Sequence, residues 1–151
     1  MDSIISSSPE ETCLIGERWG REAQAGWLLG LSGDLGAGKT QLVKGLARGL
    51  GVQGRIGSPS FGLMNEIEGG RLPLWHLDLY RLSGWEDIVG AGLDEYVLGG
   101  KGVVVVEWIE RWLDRVQGAA ALAGGVRRLR WVTLEIQAET ERLIRYEDII
   151  S

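Results

Sequence analysis

The chain has 151 residues, 44% of them hydrophobic and 25% charged, which is the balance of a water-soluble globular protein long enough for one sizeable core and suggests a single domain over residues 1–151. A net charge of −5 argues against bulk binding to nucleic acid or anionic membrane, since either needs a basic face; a local basic patch stays open. One cysteine and one histidine rule out an internal disulfide and a four-ligand Cys/His zinc site. No run approaches the roughly 18 apolar residues of a membrane span, and the start of the chain lacks a signal-peptide core, so a cytoplasmic location is expected. The 24 glycines show no period and read as turn residues.

In chain order, Ser3–Ser6 reads as a short edge strand. Ser8-Pro9-Glu10-Glu11 is a helix start, with Ser8 as N-cap, Pro9 at the first position and Glu11 reaching back to close a capping box. That helix is predicted to run to about Ala25 and to bury Thr12, Ile15, Trp19 and Ala23. Cys13 reads as a bland helix residue, because no basic neighbour adjoins it in sequence. Trp27–Leu31 is an apolar run expected of a buried strand. After it come Gly33-Asp34-Leu35-Gly36-Ala37-Gly38-Lys39-Thr40 and a helix over Lys39–Leu50, with Leu42, Val43, Leu46, Ala47 and Leu50 on one stripe and Gly51 as its stop.

Phe61, Leu63 and Ile67 alternate with Gly62, Met64 and Glu66, as in a half-buried strand. A turn at Glu68–Arg71 and a strand over Leu72–Asp78 complete a hairpin, and Pro73 suggests an edge or end position. Ser83–Glu86 opens a short helix, and Leu93–Leu98 adds a turn or two closed by Gly99-Gly100. Val103–Val106 is a continuous β-branched run, the mark of a central strand buried on both faces. Ile109–Val116 is expected to be helical, and Gln117–Gly125, rich in Ala and Gly, to be a surface connection. Two late strands, about Leu129–Ile136 and Arg142–Tyr146, are joined by a polar turn. The fold class expected is α/β: a P-loop NTPase fold with a mixed, mainly parallel sheet flanked by helices and late antiparallel strands.

Residues 33–40 spell the full G-x-x-x-x-G-K-[ST] phosphate loop, set between strand and helix as the motif requires. Gly36 and Gly38 let successive N–H groups turn inward, and the helix start adds partial positive charge. Asp34, Leu35, Gly36, Ala37, Gly38 and Gln41 are therefore expected around the phosphates. Lys39, one of three lysines in the chain, would reach the β- and γ-phosphates, and the Thr40 hydroxyl would ligate Mg²⁺. In α/β sheets the acidic partners of such a loop sit at strand ends. Glu107 ends the stronger apolar run and, on pattern alone, is the Walker-B-like acid; Asp78 ends a weaker run and is a second metal-side acid or a switch residue. Ser60 is either the hydroxyl that closes on Mg²⁺ and the γ-phosphate or part of a proline turn. His76 reads as a structural residue in preference to a base. Arg127, Arg128 and Arg130 are either a solvated strand face or a docking point for a partner or RNA. Trp108 should sense a nucleotide.

The ordered set Gly33–Thr40, Ser58-Pro59-Ser60-Phe61, His76-x-Asp78-Leu79-Tyr80-Arg81-Leu82 and Glu107-Trp108 resembles the bacterial TsaE (YjeE) family, the small ATPase of tRNA threonylcarbamoyladenosine synthesis, over roughly residues 8 to 113. The resemblance implies ATP or ADP and Mg²⁺ as ligands and weak ATP hydrolysis alone. It implies a complex with the threonylcarbamoyl transferase TsaD and its companion TsaB, with tRNA met mainly through that complex and no membrane. By position it makes Lys39 and Thr40 phosphate and Mg²⁺ ligands, Ser60 the switch hydroxyl, Asp78 the Walker-B acid and Glu107 a further Mg²⁺-side acid. It also places Ser8 and Glu11 near the adenine. Two departures stand out: Ser60 occupies a position usually held by Thr, and Ile109 stands where Pro is common. The chain beyond Asp114 carries little family signal. A P-loop small-molecule or nucleoside kinase is the alternative enzyme, and a nucleotide-gated interaction module is a third reading. A GTPase is disfavoured because Asn-Lys-x-Asp is absent.

Overall fold

The computed structural model describes residues 2–34, 36–53, 64–80, 85–111, 113–114, 120 and 122–150. The elements are β1 (Asp2–Ser6), α1 (Pro9–Glu22), β2 (Trp27–Gly33), α2 (Lys39–Gly49), β3 (Met64–Ile67), β4 (Leu74–Asp78), α3 (Trp85–Gly90), α4 (Asp94–Leu98), β5 (Val103–Glu107), β6 (Arg128–Ile136) and β7 (Arg142–Ile150), with a 3₁₀ turn at Ile109–Arg111. The described strands form one sheet in the order β1-β7-β6-β2-β5-β4-β3. The middle is parallel: β6 with β2, β2 with β5, and β5 with β4. The flanks are antiparallel: β1 with β7, β7 with β6, and β3 with β4. The sheet is thus mixed, as expected, with its parallel pairings in the middle and antiparallel pairings on both flanks. Of the two late strands, β6 runs parallel to β2, and only its pairing with β7 is antiparallel.

Each face of the sheet carries its own core. Leu29 and Leu31 of β2 and Val103 and Val105 of β5 face α1 and α2, meeting Trp19, Leu42 and Leu46. Leu28, Val104 and Val106 point the other way, toward Ile88, Val97, Ile109 and Leu122. The Val103–Val106 run is buried on both faces, as its lack of alternation requires. Leu122 is fully buried, so the Ala/Gly-rich segment expected on the surface contributes an anchor to the core. Past the 3₁₀ turn, Leu113 and Asp114 are not helical, so the expected Ile109–Val116 helix is confined among described residues to one tight turn. Residues 115–119 lie outside the described residues. Strand β7 extends to Ile150, past the predicted end at Tyr146, because Glu147, Asp148 and Ile150 continue the antiparallel pairing with Trp131, Arg130 and Leu129 of β6.

Helix α1 ends at Glu22, short of Ala25, for a reason distant in sequence. The Arg71 guanidinium Nη2–H donates to the carbonyls of Gly20, Arg21 and Ala23 at 2.8, 3.0 and 2.6 Å, satisfying groups that a longer helix would have bonded itself. At its start, Ser8 Oγ accepts from Glu11 N–H at 3.1 Å as expected, while the Glu11 carboxylate takes the Ser7 N–H at 2.7 Å, one residue before the cap.

The glycines are not confined to turns. Gly16 and Gly20 of α1 face Gly45 and Gly49 of α2, two four-residue steps that let the helix backbones touch. A Cβ on Gly45 would overlap the Cys13 carbonyl oxygen and stand 2.8 Å from its carbonyl carbon. A Cβ on Gly16 would strike the Leu42 carbonyl. The same crossing brings Arg48 to Cys13, with Nη1 3.3 Å from Sγ, so the basic neighbour missing from the local sequence arrives from the next helix.

Two of the three clustered arginines are held by partners within the fold. Arg130 Nε and Nη2 donate to the two carboxylate oxygens of Asp148 at 2.7 and 3.1 Å, and its guanidinium lies 4.9 to 5.4 Å from the rings of Trp19, Trp27 and Tyr146. Arg128 lies 3.6 Å from the same carboxylate. The pair welds β6 to β7. Among the three, Arg127 alone is exposed.

Candidate functional site

The site lies where the parallel strands end. Strand β2 runs out at Gly33 and leads into the glycine-rich loop, whose other end is the first turn of α2. Gly38 occupies the N-cap of α2 at φ +103° and Gly36 sits at φ +81°, conformations that a side chain would strain. Ala37 N–H donates to Asp34 O at 3.1 Å, closing a turn within the loop. Because β4 and β5 are parallel neighbours, Asp78 and Glu107 stand opposite each other in register at their ends.

A pocket of about 580 Å³ opens there, within the size range of small-molecule sites. Gly36, Gly38, Lys39, Thr40 and Gln41 form its floor, and Asp78, Glu107 and Trp108 line the strand-end side. The start of α1 contributes Ser8, Pro9 and Thr12, and the turn between β6 and β7 contributes Glu139, Thr140 and Arg142. Of the other residues singled out from sequence, Glu11 serves the helix cap and does not line the pocket. Asp34 is exposed and Ala37 is packed into the core. Leu35, Ser60 and the Ser58–Phe61 segment lie outside the described residues. Pro9, Thr12, Glu139, Thr140 and Arg142 were not singled out for the site. Thr12 was legible only as a core position, and a polar turn between strands has no signature that separates a pocket wall from a solvated loop.

Lys39 is buried, and its ammonium donates to Gly33 O at 2.5 Å and lies 3.3 Å from the centre of the Trp108 ring. Burial lowers its pKa from the usual 10.5, against the opposing pull of Glu107, Glu110, Asp78 and Asp34. Trp108 holds φ +62°, the one positive φ outside glycine among the described residues. A bulky residue there is strained, and such strain persists where the surroundings over-determine it. Its ring packs on Tyr80 at 5.1 Å, and Arg111 covers Tyr80 at 4.7 Å while donating to the Tyr80 carbonyl at 2.7 Å.

Glu107 is also buried, and His76 Nε2–H donates to its Oε2 at 2.5 Å. With the carboxylate ionised, Nε2 must carry the proton. His76 is 1% exposed, so it orients Glu107 from behind and has no access to a substrate. Asp78 is less buried; its Oδ1 accepts from Tyr80 N–H at 3.0 Å. Among the described residues, no cluster of three His, Cys, Asp or Glu could hold a metal unaided. A hydroxyl and one or two carboxylates beside a phosphate-sized space are nevertheless what Mg²⁺ uses when the remaining ligands are phosphate oxygens and water. Thr40, Asp78 and Glu107 fit that donor set.

Fold and pocket together define a mixed α/β protein with its site at the ends of a central parallel ladder, floored by a glycine-rich strand-to-helix loop. The chain matches, over residues 6–144, the family described as threonylcarbamoyl adenosine biosynthesis protein TsaE, and it belongs to that family. It is similar to the tRNA threonylcarbamoyladenosine biosynthesis protein TsaE of Nostoc sp., 44% identical over 114 residues covering 74% of this chain and 70% of the relative. It is likewise similar to the protein of the same description from Treponema pallidum, 47% identical over 107 residues, covering 71% and 78% respectively. Among solved structures it resembles YdiB of Bacillus subtilis, with a TM-score of 0.73 and 33% identity, covering 98% of this chain and 85% of that one. The expected family is therefore the right one. Among the described residues, no helix is long and apolar enough to cross a membrane.

Proposed function

We propose that this chain is a Mg²⁺-dependent ATPase subunit of the cytoplasmic tRNA threonylcarbamoyladenosine machinery, a P-loop enzyme that binds and hydrolyses ATP to sustain cycling of the TsaB–TsaD transferase. The observation that carries this reading is the meeting of Lys39, Asp78 and Glu107 in one pocket floored by Gly36 and Gly38. The family membership supports the pathway, and the net charge of −5 supports indirect contact with tRNA.

Within this reading the backbone amides of the loop and the start of α2 receive the phosphates. Lys39 exchanges the Gly33 carbonyl and the Trp108 ring for phosphate oxygens, a better partner for a buried ammonium. Thr40, Asp78 and Glu107 would hold Mg²⁺, which would neutralise phosphate charge. His76 keeps Glu107 in one orientation, so that carboxylate need not reorganise when ligand arrives. Ser60 is the proposed switch hydroxyl. Trp108 lines the pocket, Tyr80 packs on it and Arg111 covers Tyr80, so a change at Trp108 on nucleotide binding would reach both.

A Glu107→Gln variant tests the need for hydrolysis. It should bind ATP and its partners while failing to sustain repeated tRNA modification. Modification at the native rate by that variant would leave only a nucleotide-gated binding role.

A further inference from the structure

The turn between β6 and β7 forms one wall of the pocket, and Arg142 at its end pairs in register with Ser6, just before the start of α1. Gln137 N–H donates to Glu141 O at 3.0 Å, and Ala138 N–H and Glu141 N–H exchange bonds with Glu141 O and Ala138 O at 3.2 and 3.3 Å. These bonds make the turn a compact unit. Arg142, the first residue of β7, folds its guanidinium back over that unit. Nη1–H donates to the carbonyls of Ala138, Glu139 and Glu141 at 2.9, 3.2 and 3.1 Å. Nη2–H extends across the sheet end and donates to Gly36 O at 3.2 Å.

Strand β7 is separated from β2 by β6, so a residue on β7 reaches the loop only by spanning the end of β6. Arginine has both the length and a planar fork that can serve two segments at once. Gly36 itself is exposed, and a Cβ there would meet no atom within 4 Å, whereas Ala37 on the far side of its peptide is packed into the core and donates its N–H to Asp34 O at 3.1 Å. The bond from Arg142 holds the carbonyl side of that peptide. A peptide unit is planar, so fixing the Gly36 carbonyl also fixes the direction of the Ala37 N–H.

We propose that Arg142 is a positioning residue of the nucleotide site: its guanidinium holds the Gly36–Ala37 peptide of the glycine-rich loop and couples that loop to the β6–β7 turn. The inference rests on the nucleotide reading of the pocket. Its effect is preorganisation, because loop amides held in place before ligand arrives need not be ordered during binding.

The test is to titrate Mg²⁺-ATP and Mg²⁺-tripolyphosphate into the native chain and into Arg142→Lys and Arg142→Gln, with melting temperatures measured in parallel. Both variants should lose about tenfold in affinity for both ligands, as expected for one charge-assisted hydrogen bond. Lysine should not rescue, since it keeps the charge and loses the fork. Native affinity in Arg142→Gln, even with a lowered melting temperature, would overturn the proposal. Rescue by lysine would overturn it in favour of a charge acting on phosphate. Loss confined to ATP, with tripolyphosphate binding unchanged, would overturn it in favour of contact with the nucleoside. A native chain that binds neither ligand would overturn the nucleotide reading, and the proposal with it.

Discussion

Replacing Gly45 by alanine tests the helix contact on which the loop helix rests. Alanine is the better helix former by about 1 kcal/mol, so propensity alone predicts stabilisation. The structure predicts the opposite. The new Cβ would stand 2.8 Å from the Cys13 carbonyl carbon and 2.9 Å from the Glu17 nitrogen, and would overlap the Cys13 oxygen. These are backbone atoms with no rotamer to escape into. Restoring ordinary contact of about 3.5 Å to that carbon and nitrogen requires the helices to part by roughly 0.7 Å, and relieving the oxygen requires more. Parting also loosens the matching contacts at Gly16, Gly20 and Gly49. Overpacking of this kind costs about 3 kcal/mol at the upper end of its usual range. Net of propensity, Gly45→Ala should destabilise by about 2 kcal/mol, or roughly 4–8 °C for a chain of this size. Gly90→Ala is the control: a Cβ there meets nothing within 4 Å. Thermal and urea unfolding of the two variants should give opposite signs or a clear gap. A Gly45→Ala chain as stable as the native one would refute the close crossing of α1 and α2.

Three further outcomes follow from the pocket. Lys39→Ala should abolish ATP binding, read by calorimetric titration; unchanged affinity would refute the assignment of the loop. Nucleotide should draw Lys39 away from the Trp108 ring and change tryptophan emission, and Trp108→Phe should remove most of that change; an identical response in the variant would place the reporter elsewhere. Burial holds the native Lys39 pKa below 10.5, so between the lowered value and 10.5 the unfolded chain binds more protons than the native one. In the absence of nucleotide, stability should therefore gain a rising contribution with pH across that window. Lys39→Met should lack it in denaturant titrations run from pH 8 upward, and equal slopes for the two chains would contradict it.

What the sequence made legible was whatever local spacing encodes. The four apolar valines of β5, the stripe of α2 and the Ser8-Pro9 helix start all form as their patterns demand. The loop and its two acids are motif-level features, and the family followed from their order. What local spacing does not encode was missed. The end of α1 is set by Arg71, about fifty residues away, and the environment of Cys13 by Arg48, 35 positions on. Gly16, Gly20, Gly45 and Gly49 read as loose turn formers because their use depends on which helices cross. The partition of Asp78 and Glu107 followed a comparison of strand strength, whereas the difference in three dimensions is burial: Glu107 is held by His76 and Asp78 stands more open. Arg142 was legible only as the first residue of a strand, since its reach to Gly36 depends on strand order.

The central claim is tested most directly by Mg²⁺-dependent ATP hydrolysis of the purified chain, alone and after addition of TsaD and TsaB, with Thr40→Ala as control. The account predicts slow turnover alone, faster turnover with the partners, and none in the variant. Hydrolysis that ignores the partners, or that survives Thr40→Ala, would contradict it.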